Sequence, residues 1–353
     1  MFGKHWRPAA HWLVVAAGVG YLAWVTPGLA ASAQRVSEPL RGLRWEWLAV
    51  AVLCAVAALM AYGELHRQLL LVGGAGVPFG VVQSINFVEN AVSVTVPVVG
   101  GAGALAYAID QLRRRRVDAP LASWSVLVAG VISTVVLLLL GALGLGATGR
   151  VPLGFGLSLA VLIALGCVGM WRVLTHPVVL RGVLRPLVWL GRWIPGLCRN
   201  CRFAWAARVD QVSHRLSVRI AGLRPSAGRW VLLVTLAGLP WALDFASLAA
   251  STAAVGTTVP WGTLLTGFLL VQASIALQIF PGGAGLAETS LLASLLASGV
   301  PSASASASVL IYRSITWLGL ALVGWALYAL SIHTAPLHVH RHAPEHPPHL
   351  EAR

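Results

Sequence analysis

Four side chains in this sequence carry charge where the surrounding residues do not. Glu288 closes the stretch Phe280-Pro281-Gly282-Gly283-Ala284-Gly285-Leu286-Ala287-Glu288, a helix-breaking turn set between two apolar runs. Glu89 and Asp244 also sit inside apolar runs, and Arg313 lies about one turn into the last of them. An ionised carboxylate in hydrocarbon costs on the order of 3 kcal/mol, so each of these acids must face protein or water. Arg313 is the obvious partner for Glu288. Such a pair either pins two helices together or contacts a phosphate group and changes partners during a cycle. Asn86 and Asn90 are four apart and share a helix face, with Glu89 beside it. They hydrogen-bond a polar ligand or glue helices to one another. Gln272 and Gln278 puncture the run that leads to the turn. Pro281, Gly282, Gly283 and Gly285 are the composition of a broken helix with close backbone approach, which an ordinary loop does not require.

The elements that position these residues are membrane helices. Of the 353 residues 58% are hydrophobic and 10% charged, and mean hydropathy is +0.79, too apolar for a water-soluble domain. Apolar windows of roughly 20 residues recur, whereas the alternating pattern of a membrane barrel does not. The fold class is therefore all-α and polytopic, with about eight transmembrane elements. The net charge of +14 falls between the spans, where cytoplasmic loops concentrate cations, so topology accounts for it and nucleic acid is not expected as a partner. Lysine occurs once, at Lys4, which excludes a phosphate-loop nucleotide pump. Cys54, Cys167, Cys198 and Cys201 form no disulfide framework, and no metal site or cofactor is expected.

In chain order, a first span is expected at about Ala9 to Ala30, uncleaved, and a second at about Trp47 to Tyr62, returning inside at His66 and Arg67. From Val77 to Ile109 the apolar sequence is interrupted by Asn86, Glu89, Asn90, Pro97 and the glycines Gly100, Gly101 and Gly103. It ends in Arg113, Arg114, Arg115 and Arg116, a cytoplasmic anchor that also suits lipid headgroup capture. Beginning and ending on one side, this region reads as a re-entrant pair of half-helices or two closely packed spans. Spans at about Leu121 to Leu143 and Val151 to Met170 follow. Residues 171–228 then hold ten Arg against the single acid Asp210, a cytoplasmic loop suited to an anionic membrane surface. Trp230 to Ala250 crosses next, Trp261 to Ala297 forms a second broken region, and Val309 to Ser331 returns inside. The chain thus reads as one transmembrane domain, 1–331, with both termini cytoplasmic, and a disordered His-rich tail, 332–353.

The two broken regions resemble one another. Ser125-Val126-Leu127 begins 25 residues after Gly100 of Gly100-Gly101-Ala102-Gly103, and Ser308-Val309-Leu310 begins 26 residues after Gly282 of Gly282-Gly283-Ala284-Gly285. The repeat units run over about 47–143 and 229–331. On the charge-based orientation the first breaks in from the cytoplasm and the second from outside, which makes the repeat inverted, as in many secondary transporters.

The stretch from Pro281-Gly282-Gly283-x-Gly285-x-x-Glu288 through Gly299-Val300-Pro301 to Arg313 resembles the flippase-like integral membrane proteins related to the transmembrane region of lysylphosphatidylglycerol synthase. The segment before Pro97 matches more loosely: members commonly carry Pro-Gly-Arg-x-Gly-Glu where this chain has Pro97-Val98-Val99-Gly100-Gly101. The resemblance implies movement of a phospholipid or lipid-linked sugar across a bacterial plasma membrane, and no catalytic residue. The synthase's aminoacyl-transfer domain is absent from the sequence. A membrane-embedded transferase using Glu288 or Asp244 as base, and a non-transporting scaffold for an envelope-synthesis enzyme, are the alternatives.

Overall fold

In a computed structural model the described residues are 37–96, 100–149, 151–175, 227–276 and 281–331, together with Gly20 and Ala23. The expected first span, Pro97, Gln278, nearly all of the basic loop and the His-rich tail lie outside them. Every described element is helical. After a one-turn helix at Ser37–Arg41 come α1 (Trp45–Val72), α2 (Phe79–Thr95), α3 (Gly100–Arg114), α4 (Ala119–Ala147) and α5 (Leu153–Thr175). They are followed by α6 (Ala227–Ala254), α7 (Trp261–Ala276), a 3-10 turn at Pro281–Gly283 and α8 (Leu286–Ala297). The last helix starts as α9 (Ser302–Arg313), passes through a π segment (Ser314–Gly319) and finishes as α10 (Leu320–Ser331).

Four of these helices are long and apolar enough to cross a membrane: Trp45–Val72, Ala119–Ala147, Gly228–Ala254 and Ser302–Leu330. The chain is a multi-pass membrane protein. Leu53, Val131, Leu165 and Leu322 point outward with half or more of their surface free, the positions where lipid replaces a protein neighbour. Helix α1 runs ten residues past Tyr62, the end expected from hydropathy. Its polar end is satisfied within protein: Arg67 Nε and Nη2 both donate to Glu64 at 2.7 Å, and buried His66 Nε2 lies 3.1 Å from Ser125 Oγ on α4. Internal pairing lets the helix continue where charge alone signals a stop.

The most extensive packing joins α1 to α6. Small residues Ala51, Ala55 and Ala58 form the buried stripe of α1 and allow close approach. Arg44 N–H donates to the Ala254 carbonyl at 2.9 Å and Ser247 Oγ to the Ala51 carbonyl at 2.9 Å, so the two helices run antiparallel.

Two short helical hairpins fold into the bundle. Helices α2, α3, α7 and α8 hold 17, 15, 16 and 12 residues. At 1.5 Å per residue each falls short of the roughly 30 Å of hydrocarbon. The end of α1 (Leu65, Leu69), the start of α2 (Val81, Ile85), the end of α3 (Ala108, Leu112) and the start of α4 (Leu121, Trp124) share one apolar cluster with Leu233 near the start of α6. A second cluster joins Leu248 in the later half of α6 to α7 (Leu264, Phe268), α8 (Leu291, Leu295) and the start of α9 (Ala305, Val309). Since α1 and α6 are antiparallel, the α2–α3 hairpin enters from the end where α1 finishes and the α7–α8 hairpin from the opposite end.

Candidate functional site

The hairpin tips meet inside the bundle. Trp317, on the π segment, donates from Nε1 to the Val94 carbonyl at 3.2 Å, one residue before α2 ends. The same edge of the indole packs against Gly282, where a Cβ would collide with it. Gly282 and Gly283 have φ of 57° and 70°, the left-handed region that side-chain-bearing residues avoid, so both the conformation and the space require glycine at Gly282. A π turn widens the helix by one residue, and here it carries Trp317 into the gap between the tips.

Arg313 fastens this junction. Its Nε donates to Glu288 Oε1 at 2.6 Å, its Nη2 to the Gly282 carbonyl at 2.7 Å, and its guanidinium lies 5.5 Å from the centre of the Trp317 ring. It is 3% exposed while the Glu288 side chain keeps 32% of its surface, so water screens the ion pair in part and the bond to the Gly282 carbonyl little. Glu288 has a second task. Its Oε2 accepts the Gly285 N–H at 2.6 Å, closing the first turn of α8 in a capping box whose carboxylate also suits the positive helix end. The pair therefore ties α9 to the start of α8 and to the broken backbone of the turn that Pro281 opens.

A cavity of about 470 Å³ lies at this meeting point, walled by α1, α2, α3, α4, α6, α7 and the last helix. Asp244 reaches it from α6 and accepts two hydrogen bonds, from Gln272 Nε2 on α7 at 2.9 Å and from Tyr312 Oη at 3.0 Å. Three helices thus converge on one carboxylate. Pro240 and Trp241 line the same wall, and Trp241 Nε1 donates to the Ser133 carbonyl of α4 at 2.8 Å.

The α2 side differs. Asn86 lines the cavity but donates from Nδ2 to the Leu59 carbonyl of α1 at 2.6 Å, an interhelical bond. Glu89 and Asn90 also line it, and here Glu89 Oε2 and Asn90 Nδ2 are buried without a hydrogen-bond partner among the described residues. An acceptor and a donor one residue apart are left for something other than the protein.

The structure thus brings Asn86, Glu89, Asn90, Asp244, Gln272, Gly282 and Arg313 to one cavity. Gly283, Gly285 and Glu288 lie in the adjoining turn and helix start. Arg113, Arg114, Arg115 and Arg116 belong to the far end of α3, where Arg114 Nε pairs with Asp110 at 2.7 Å and Arg115 bonds Gln111. No group of three metal-ligating side chains occurs among the described residues.

Tyr62, Tyr312, Trp241 and Trp317 are site residues that the sequence reading did not single out. A signal existed for two of them: Tyr312 adjoins Arg313, and Trp317 stands one helical turn beyond it on the same face.

No curated protein matches the chain. Residues 11–324 match the family described as the lysylphosphatidylglycerol synthase TM region, which takes in both hairpins, the Arg313 junction and the cavity. A match over that much of the sequence makes this chain a member of the lysylphosphatidylglycerol synthase TM region family.

Proposed function

We propose that this protein carries the polar headgroup of a phospholipid or lipid-linked sugar across a bacterial plasma membrane, acting as a flippase. The observation that supports this reading is the cavity at the junction of the hairpins, with Glu89 Oε2 and Asn90 Nδ2 left unpaired in its wall. A buried polar atom without a partner costs about 1–3 kcal/mol, which a headgroup bearing hydroxyl, amine or phosphate groups offsets when it enters. The acyl chains stay in the bilayer beside the apolar outer faces, and only the headgroup needs the polar route.

Hairpins entering from opposite ends supply the device that alternating access requires. We read units 47–143 and 229–331 as an inverted repeat whose broken segments meet near the midplane. Rocking of one hairpin against the other opens the cavity first to one side and then to the other. Asp244, Gln272 and the Arg313–Glu288 pair shape the route, and the Arg113 to Arg116 run holds the cytoplasmic face against anionic lipid. Both termini are cytoplasmic in this scheme.

The test is loss of sidedness in liposomes. Purified protein should let externally added reductant reach fluorescent headgroups that began in the inner leaflet, faster than empty liposomes allow, for at least one headgroup in a panel of phospholipids and lipid-linked sugars. Asn90→Leu, which removes the free donor, should slow that loss. Equal sidedness with and without protein over the whole panel would refute the reading.

A further inference from the structure

The two carboxylates on the cavity wall are held in opposite ways. Asp244 receives Tyr312 Oη and Gln272 Nε2, two donors that favour its ionised form. Glu89 receives none on its buried Oε2. The one cation on the described wall is Arg313, already bound to Glu288 and to the Gly282 carbonyl. The remaining titratable groups that line the cavity are Tyr62 from α1 and Tyr312 from α9, while α3 and α4 place none on it. No described side chain is therefore available to neutralise Glu89 as an anion, and Asp244 is a second acid on the same cavity wall. A metal cation is disfavoured, because it needs several convergent oxygens and Asn90 turns an unpaired donor, Nδ2, toward the site.

We propose that Glu89 is a proton-binding site that couples proton movement to headgroup movement, while Asp244 stays tied to Tyr312 and Gln272. While Oε2 is shielded from water, as it is here, Glu89 holds a proton on its carboxyl group. When the hairpins open the cavity to the less acidic side, water reaches Oε2, the proton leaves to that water, and the carboxylate remains until it is reprotonated from the more acidic side. One proton crosses per turnover and nothing is oxidised or reduced. The inference rests on the flippase reading, and it assigns to α2 the charge chemistry that the sequence suggested for Glu288.

Dicyclohexylcarbodiimide tests the site on the intact protein. It adds to a protonated carboxyl group in apolar surroundings and leaves an N-acylurea detectable by peptide mass spectrometry. Wild-type protein in liposomes should carry the adduct on Glu89, at a yield that falls as pH is raised, with Asp244 unmodified. Glu89→Gln should remove it and Glu89→Asp restore it. Labelling on Asp244 in place of Glu89, or no pH-dependent labelling of Glu89, overturns the proposal. Coupling is tested by imposing a gradient of one pH unit on the sidedness assay. With one proton per headgroup the label should redistribute by up to about tenfold between leaflets, the bias in proton activity itself. Headgroups that equilibrate identically with and without the gradient overturn the coupling and leave the flippase standing. If no headgroup crosses under any condition, the flippase reading fails and the coupling with it, even where Glu89 is labelled.

Discussion

The two hairpins share a plan and differ in what their polar residues do. Around the α7–α8 hairpin each charged or amide group in view is committed: Glu288 to Gly285 and to Arg313 of α9, Arg313 in turn to the Gly282 carbonyl, and Gln272 to Asp244. In the α2–α3 hairpin, Asn86 is tied to α1 while Glu89 Oε2 and Asn90 Nδ2 are not tied to any described group. The tip of the first hairpin is held by borrowed contacts from the last helix, Trp317 to the Val94 carbonyl and Trp325 Nε1 to Thr95 Oγ1 at 3.2 Å. A carboxylate in a membrane domain can be spent on anchoring the fold or kept for a ligand. Here the second unit does the first and the first unit does the second.

The sharpest way to break the contrast is to unfasten the second hairpin. Arg313→Ala leaves Glu288 without its cation and the Gly282 carbonyl without its donor, in a site where Arg313 is 3% exposed. Breaking a fully buried pair costs roughly 3–5 kcal/mol, and because the Glu288 side chain left behind is 32% exposed the loss here is smaller, about 2–3 kcal/mol. Thermal unfolding in nanodiscs should show the largest loss of any single cavity substitution, and hydrogen exchange should rise at residues 282–290 before residues 79–95. Uniform exposure of both hairpins would mean that Arg313 supports the whole bundle and not the second unit. Gly282→Ala comes next. The methyl group meets the Trp317 indole in a backbone of φ 57°, strain worth about 1–3 kcal/mol. It should weaken the junction without touching any charge.

Much of this contrast was legible in the residues, though not its direction. Hydropathy with the Pro, Gly and amide interruptions located both hairpins, and charge pairing gave Glu288 with Arg313, because long apolar runs and lone ions have few solutions in a bilayer. What escaped was the allocation of polar groups. A sequence shows that Asn86 and Asn90 share a helix face. It does not show that a carbonyl of another helix waits opposite one and an open cavity opposite the other. For the same reason Glu288 and Arg313 read in the sequence equally well as a helix pin or a ligand contact, whereas their geometry commits them to each other. The π segment was also hidden, since Ser314-Ile315-Thr316-Trp317-Leu318-Gly319 has no proline and its single glycine is one of many in apolar runs of this chain.

Tyr312→Phe probes the middle of the scale. It deletes one of the two donors to Asp244 and leaves the ring in place, and interhelical hydrogen bonds in membrane proteins average about 0.6 kcal/mol. A small fall in melting temperature is expected, and Asp244→Asn on top of it should cost little more. If the double substitution is far worse than the single one, Asp244 has further partners, and the second unit is even more tightly committed than its hydrogen bonds suggest.

The smallest effect on stability, and the most telling, belongs to Glu89→Gln. The amide has nearly the same shape as the carboxyl group and cannot carry the charge, so the substitution removes the penalty of a buried acid without removing any bond in which Oε2 takes part. Replacing a carboxyl group whose buried Oε2 has no partner in this way should leave the melting temperature unchanged or raise it by the equivalent of up to about 1 kcal/mol. Glu288→Gln supplies the control. It weakens the bonds to Arg313 Nε and to the Gly285 N–H, and it should lose about 1–3 kcal/mol because the guanidinium stays buried. Measured side by side, the two substitutions place a number on the asymmetry between hairpins. Equal losses would show that Glu89 is as deeply built into the fold as Glu288, and the division between an anchoring unit and a free one would fall. A neutral Glu89→Gln beside a damaged Glu288→Gln makes Glu89 the carboxylate that the fold does not need, which is the condition for its being free to bind and release something else.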